Sequence, residues 1–426
     1  MNTMLLYFRQ IQISRLHVLI IALCIGAIYW QVYDFDFLIG WDDQWFVTNN
    51  YTTSGFTLNN LYHIFADYYY GQYAPLNQLY YTTLYIFFGY NPGYYHLMSV
   101  LLHLTNSILV YIFIQHLNAE IFLKIGNQKN IAFVTALLFG ILPINMEPVA
   151  WVAASKVELY ALFYLLALIT YLKYINSNKA YYFYWVLFLY ALSFGAKEQA
   201  VTLPVCMLLL DYSEGKSFRN KLIWIEKIPV FILSVLFGFI TIDSQQVDER
   251  DFYDIFQRLP LSFYTISEYA TKCIIPVNLS YLYPFPFQKG ENMPYWLYIH
   301  LIAIPLIPYL LKDILRAKWV IISCCFFLIH ILLVSNLFSI ARFSITADRY
   351  VYIASIGSCL LITNSFFYLK NKVKQRKNLR VLAFAYIIYL AAYAYLHLPT
   401  WSNTLALKSN IKEIILQREE HIKQRP

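Results

Sequence analysis

The sequence predicts an all-α polytopic membrane protein: one bundle of about 11 transmembrane helices, with amphipathic helices in its first extracytoplasmic loop. Three observations carry that expectation. Hydrophobic residues make up 59% of the 426 positions and charged residues only 13%, about half the roughly 25% charge of an ordinary soluble domain. The apolar residues fall in blocks, and blocks of about 17–25 are what a helix needs to cross the hydrocarbon core. Forty tyrosines and nine tryptophans suit two wet interfaces, because amphipathic rings collect at headgroup level.

The first span follows Arg9 and Arg15 and runs over 16–33, with no small-residue cleavage site after it, so it reads as uncleaved. Further spans are expected near 95–116, 131–146, 157–175, 180–195, 198–212, 228–243, 295–311, 319–338, 350–369 and 381–398. Together they form a transmembrane domain over 1–398 with a short polar tail over 399–426, helical from about Leu405 to Gln417.

Loop charge sets the orientation. Of the twelve Lys and Arg in residues 1–227, an inside N-terminus leaves only Lys156 and Lys197 outside, the asymmetry that the positive-inside rule demands. Eleven spans then put the C-terminus outside, at the periplasmic face of a bacterial inner membrane, or in the ER membrane of a eukaryote. The net charge of +8 lies mostly in these short loops, which removes the argument for nucleic-acid binding. No cysteine spacing resembles a zinc site or a disulfide framework.

Two extracytoplasmic loops are long. The first, 34–92, holds five Asp and no Lys or Arg. Within it Leu58, Leu61, Tyr62, Phe65 and Tyr69 fall at helical spacing, and a second stretch opens at Pro75 and stops at Gly89. Both suit helices lying in the membrane surface. The second loop, 244–294, mixes charge (Asp243, Asp248, Glu249, Arg250, Asp251) with a Pro- and Tyr-rich end from Tyr281 to Pro286.

Asp42 and Asp43 follow the first span, between Trp41 and Trp45. Rings that exclude water raise a carboxylate's basicity, which a general base needs; a solvated acidic turn has the same sequence. Glu147, Lys156 and Glu158, then Lys197 and Glu198, then Arg342, Asp348 and Arg349 all fall at the outer ends of spans. Ionisable groups there face the bundle interior and mark a site, or act as anchors and structural pairs. Carboxylates mixed with Lys and Arg suit a reaction that extracts a proton and releases a phosphate. His96, His103 and Asn106 share a face of the second span, where interhelical hydrogen bonding explains them better than a metal. No cofactor is indicated. Charges gathered at one face, with no visible repeat, also argue against a flippase or transporter.

The run Asp42-Asp43-Gln-Trp-Phe-Val-Thr-Asn resembles the opening of the first loop in GT-C glycosyltransferases, closest to the transmembrane and tetratricopeptide-repeat O-mannosyltransferases and their bacterial relatives. Further matches keep the family's order: Asn91-Pro-Gly-Tyr-Tyr-His96 leading to His103 and Asn106, Pro143 to Trp151 continuing to Lys156-Val-Glu158, Ala196-Lys197-Glu198 to Pro204, and Ala347-Asp348-Arg349-Tyr350-Val-Tyr352. The resemblance implies a GT-C core, a polyprenyl-phosphate sugar donor and inverting transfer to a hydroxyl on a protein, glycan or lipid. It implies Asp42 as acid-base residue with Asp43 beside it. It also implies phosphate neutralisation by Lys197 and Arg349, with Arg342 on the donor side. Two departures stand out: Ala74-Pro75 and Leu142-Pro143 replace the family's frequent His-Pro. The repeats that follow the core in the animal proteins are absent, and the losses leave room for an inactive relative.

Overall fold

A computed structural model describes residues 14–123, 125–245, 253–287, 290–310, 312–337 and 344–423. Arg9, Lys124, Arg342 and the charged run 248–251 lie outside the described residues. All regular structure among the described residues is helical, apart from one isolated bridge between Tyr69 and Gln72.

Each of the eleven expected spans coincides with a helix. In chain order the helices are α1 (Arg15–Tyr29), α2 (Leu58–Ala66), α3 (Pro75–Phe88), α4 (Pro92–His116), α5 (Gln128–Ile141), α6 (Met146–Ala150), α7 (Ser155–Ser177) and α8 (Ala180–Ala196). They continue as α9 (Leu203–Ser213), α10 (Ile228–Gln245), α11 (Ile255–Ile274), α12 (Leu297–Leu310), α13 (Lys318–Leu332), α14 (Ala354–Lys372), α15 (Arg376–His397) and α16 (Thr404–Lys423). Length and composition qualify five segments as complete crossings, built on α1, α4, α7, α10 and α15. A sixth is α5 with the Pro143–Ala150 segment, bent by 55°. Pro143 causes the break, since it cannot donate the next helical bond. The multi-pass expectation therefore stands; a full count of eleven crossings needs α8, α9, α12, α13 and α14 to cross as well.

The bundle is built around α7, whose apolar window is 83% buried, against 11% for the segment holding α10. On α10, Ile232, Val235, Leu236, Phe239 and Ile242 point outward, an apolar surface of the kind that lipid covers. On α1, Ile21, Ile25 and Ile28 face the core while Leu16, Leu19 and Leu23 face out, as helical periodicity dictates. Small residues let spans approach: a Cβ at Gly357 of α14 would lie 2.5 Å from the Ser323 carbonyl of α13.

The first loop folds back over the bundle. Thr57 caps α2 by accepting from Asn60 N, and Pro75 opens α3. Both helices fall where the spacing placed them. The second loop holds α11, which the charge pattern did not predict. Its signal was the capping box at its start, where Asp254 and Gln257 exchange bonds.

Candidate active site

Gly40, at φ +80°, turns the chain into Trp41 and Asp42, and a π-helical turn follows over Asp43–Val47. Asp43 is fully buried. One carboxylate oxygen accepts from Leu38 N at 2.8 Å and the other from Ala153 N at 2.7 Å. It thereby fastens the loop to the turn between α6 and α7. Tyr81 of α3 adds a second fastening, donating to the Val152 carbonyl at 2.8 Å. Burial pushes the Asp43 carboxyl up to about 7, with the Asp42 charge adding to the rise and the two backbone donors opposing it.

Asp42 is only half-buried and makes no hydrogen bond among the described residues. It lies within electrostatic reach of Lys156 and Tyr281. Lys156 is equally in reach of Lys197, Glu198 and Arg349. Its ammonium donates to Gln72 Oε1 at 2.5 Å and sits 4.9 Å from the Phe46 ring centre. Lys197, also buried, lies 5.3 Å from the Tyr350 ring, and the Arg349 guanidinium lies 5.1 Å from the same ring. Those cations are thus gathered around one aromatic side chain.

Arg349 is locked in place. Its backbone N–H donates to Glu147 Oε2 at 2.7 Å and its guanidinium to Oε1 at 2.5 Å, across 202 residues of sequence. Burial works against its charge, but Glu147, Tyr350 and Tyr281 more than offset this and hold it protonated. Trp151 and Tyr281 close the other sides at 5.3 and 5.6 Å. Asp348 turns away to Tyr283, whose hydroxyl donates to it at 2.8 Å, and to Lys272 at 3.7 Å. Burial raises Asp348 to about 7, with Lys272 opposing the rise.

The structure therefore brings Asp42, Lys156, Lys197, Glu198, Arg349 and Glu147 together, with Asp43 and Asp348 as buried supports. His96, His103, Asn106 and Glu158 do not join them. His103 spends both ring nitrogens, on Tyr352 Oη at 2.7 Å and the Gly140 carbonyl at 3.0 Å. Asn106 donates to the Glu158 carbonyl at 2.9 Å. Both are the interhelical bonds expected of that face. Sequence reasoning missed Gln72, Lys272, Tyr283 and Tyr350. Of these only Tyr350 and Tyr283 carried a signal, one beside Arg349 and one within the Tyr-rich stretch. Among the described residues no three His, Cys, Asp or Glu side chains group as metal ligands.

The match that decides the comparison covers 333 residues, 74% of this chain, at 26% identity, with a Caenorhabditis elegans protein named protein O-mannosyl-transferase. The chain resembles the protein O-mannosyl-transferases. Proteins of that name from Mus musculus and Homo sapiens match at 27% over 202 residues and 34% over 100, which is 42% and 23% of this chain. The chain spans 45%, 20% and 10% of these three relatives' lengths. No family model and no solved structure matches.

Proposed function

We propose that this chain is a membrane glycosyltransferase, built as a GT-C bundle of eleven crossings with its site at the extracytoplasmic face. It moves a sugar from a polyprenyl-phosphate donor to a hydroxyl, and the relatives' names point to mannose and a protein acceptor. The observation that supports this is the convergence of Asp42 with Lys156, Lys197 and Arg349 beneath the first loop.

In this reading the acceptor oxygen attacks the anomeric carbon while Asp42 takes its proton. The carbon–oxygen bond to the lipid phosphate breaks, and its electron pair leaves on the phosphate. Attack from the opposite face inverts the anomeric configuration. Lys197 and Arg349 are fixed positive charge, which stabilises the departing phosphate at no cost of reorganisation. Asp43 serves as a positioning residue, because its oxygens are both taken by backbone donors.

Purified protein in nanodiscs, given polyprenyl-phosphate mannose and a Ser/Thr peptide, is expected to transfer mannose. Asp42→Asn is expected to lose about 10³-fold in rate, in the range of general-base contributions, while melting at the wild-type temperature. Wild-type rates in that variant would remove the mechanism. A wild-type protein that binds the donor but neither transfers nor hydrolyses it would be an inactive relative.

A further inference from the structure

Apart from the charge cluster stands a second set of buried polar groups that the transferase reading does not use. Glu158 is fully buried in α7, and neither carboxylate oxygen makes a hydrogen bond of ordinary geometry among the described residues. Lys156 does not reach it: two residues along a helix is a rotation of about 200°, which puts the two side chains on opposite faces. The groups around the carboxylate come from other elements. The Ser99 hydroxyl of α4 adjoins it, and the Tyr80 hydroxyl of α3 adjoins Ser99. Tyr29 of α1 and Tyr352 are the other phenols within electrostatic reach. Tyr29 Oη, Tyr80 Oη, Ser99 Oγ and Asn106 Oδ1 are likewise buried without a partner.

So many orphaned oxygens in one place call for a ligand, and an uncompensated carboxylate in a bundle interior calls for positive charge. All the donors are oxygen, with a single formal negative charge. That is the shell of a hard cation, and one carboxylate balances a monovalent ion where calcium sites use several. We propose that Glu158, Ser99, Tyr80 and their neighbours bind a monovalent hard cation, with sodium the probe of choice. The ion joins the loop helix α3 to the spans α4 and α7.

The test uses the full chain in nanodiscs, with sodium chloride replacing choline chloride at constant ionic strength. Sodium is expected to raise the melting temperature saturably and ²²Na⁺ to bind stoichiometrically. Glu158→Gln abolishes both responses, and Ser99→Ala weakens both. Calcium producing a larger rise than sodium would overturn the assignment. So would a wild-type protein with no saturable ²²Na⁺ binding, the result expected if Glu158 simply carries a proton.

Discussion

At the C-terminal end of α7, Asp211 receives the Tyr171 hydroxyl at 2.7 Å, Lys216 at 3.2 Å and Lys227 in direct contact. At the N-terminal end of the same helix Asp42 stands half-buried, while Lys156 and Lys197 make no salt bridge among the described residues. The residue types match; the accounting differs. Asp211 and its cations compensate one another's charge, so the cluster holds α7, α9 and the start of α10 together. The cluster at the N-terminal end keeps Lys156 and Lys197 against aromatic rings without a carboxylate in contact, which is where an anion gains most. A charged cluster in a membrane bundle is read by what its members leave unpaired.

The largest effects come from exchanging the two clusters' carboxylates. Asp211→Asn leaves Lys227, fully buried, with half its compensation, and is expected to cost about 3–5 kcal/mol of stability with the residual activity of folded protein unchanged. Asp42→Asn is expected to do the reverse, and denaturation curves beside transfer rates separate them. Equal stability losses in both variants would dissolve the contrast. Next in size, Lys197→Met and Arg349→Lys should each lower kcat by about 10²-fold; the lysine variant loses the two-point grip on Glu147.

A smaller effect concerns pH. Asp43 and Asp348 each move from an ordinary 3.8 to about 7 on folding. The folded protein therefore holds protons that the unfolded chain releases, so the stability these two groups contribute is fully present below pH 4. It declines as pH rises toward 7 and levels off above. Asp43→Asn should remove roughly half of that slope, measured as melting temperature against pH. The smallest effect is Gln72→Ala, which frees the Lys156 ammonium. A severalfold rise in donor KM with little change in kcat is expected, given the modest worth of one charge-assisted bond.

Much of the helical layout was legible in the linear pattern. Lipid forces each crossing to satisfy its own backbone, so a span announces itself as an apolar block. Pro75, Gly89 and the apolar spacing of 58–69 marked the loop helices for the same local reasons. The bend at Pro143 was written in the residue but not in the hydropathy, and length and composition together qualify five or six of the eleven expected crossings. α11 was missed because its composition is too polar to announce a crossing; its signals were a cap and an amphipathic period.

What the sequence determined by itself is the membrane class, the place of most helices and the inventory of charges at their ends, since each depends on neighbours within a few turns. Which charges meet was decided only in three dimensions. Arg349 grips Glu147 from 202 positions away and Gln72 holds Lys156 from 84. Glu158, two residues from Lys156, belongs to a different set of buried side chains altogether. Helix rotation and packing, which no local pattern encodes, set those partnerships.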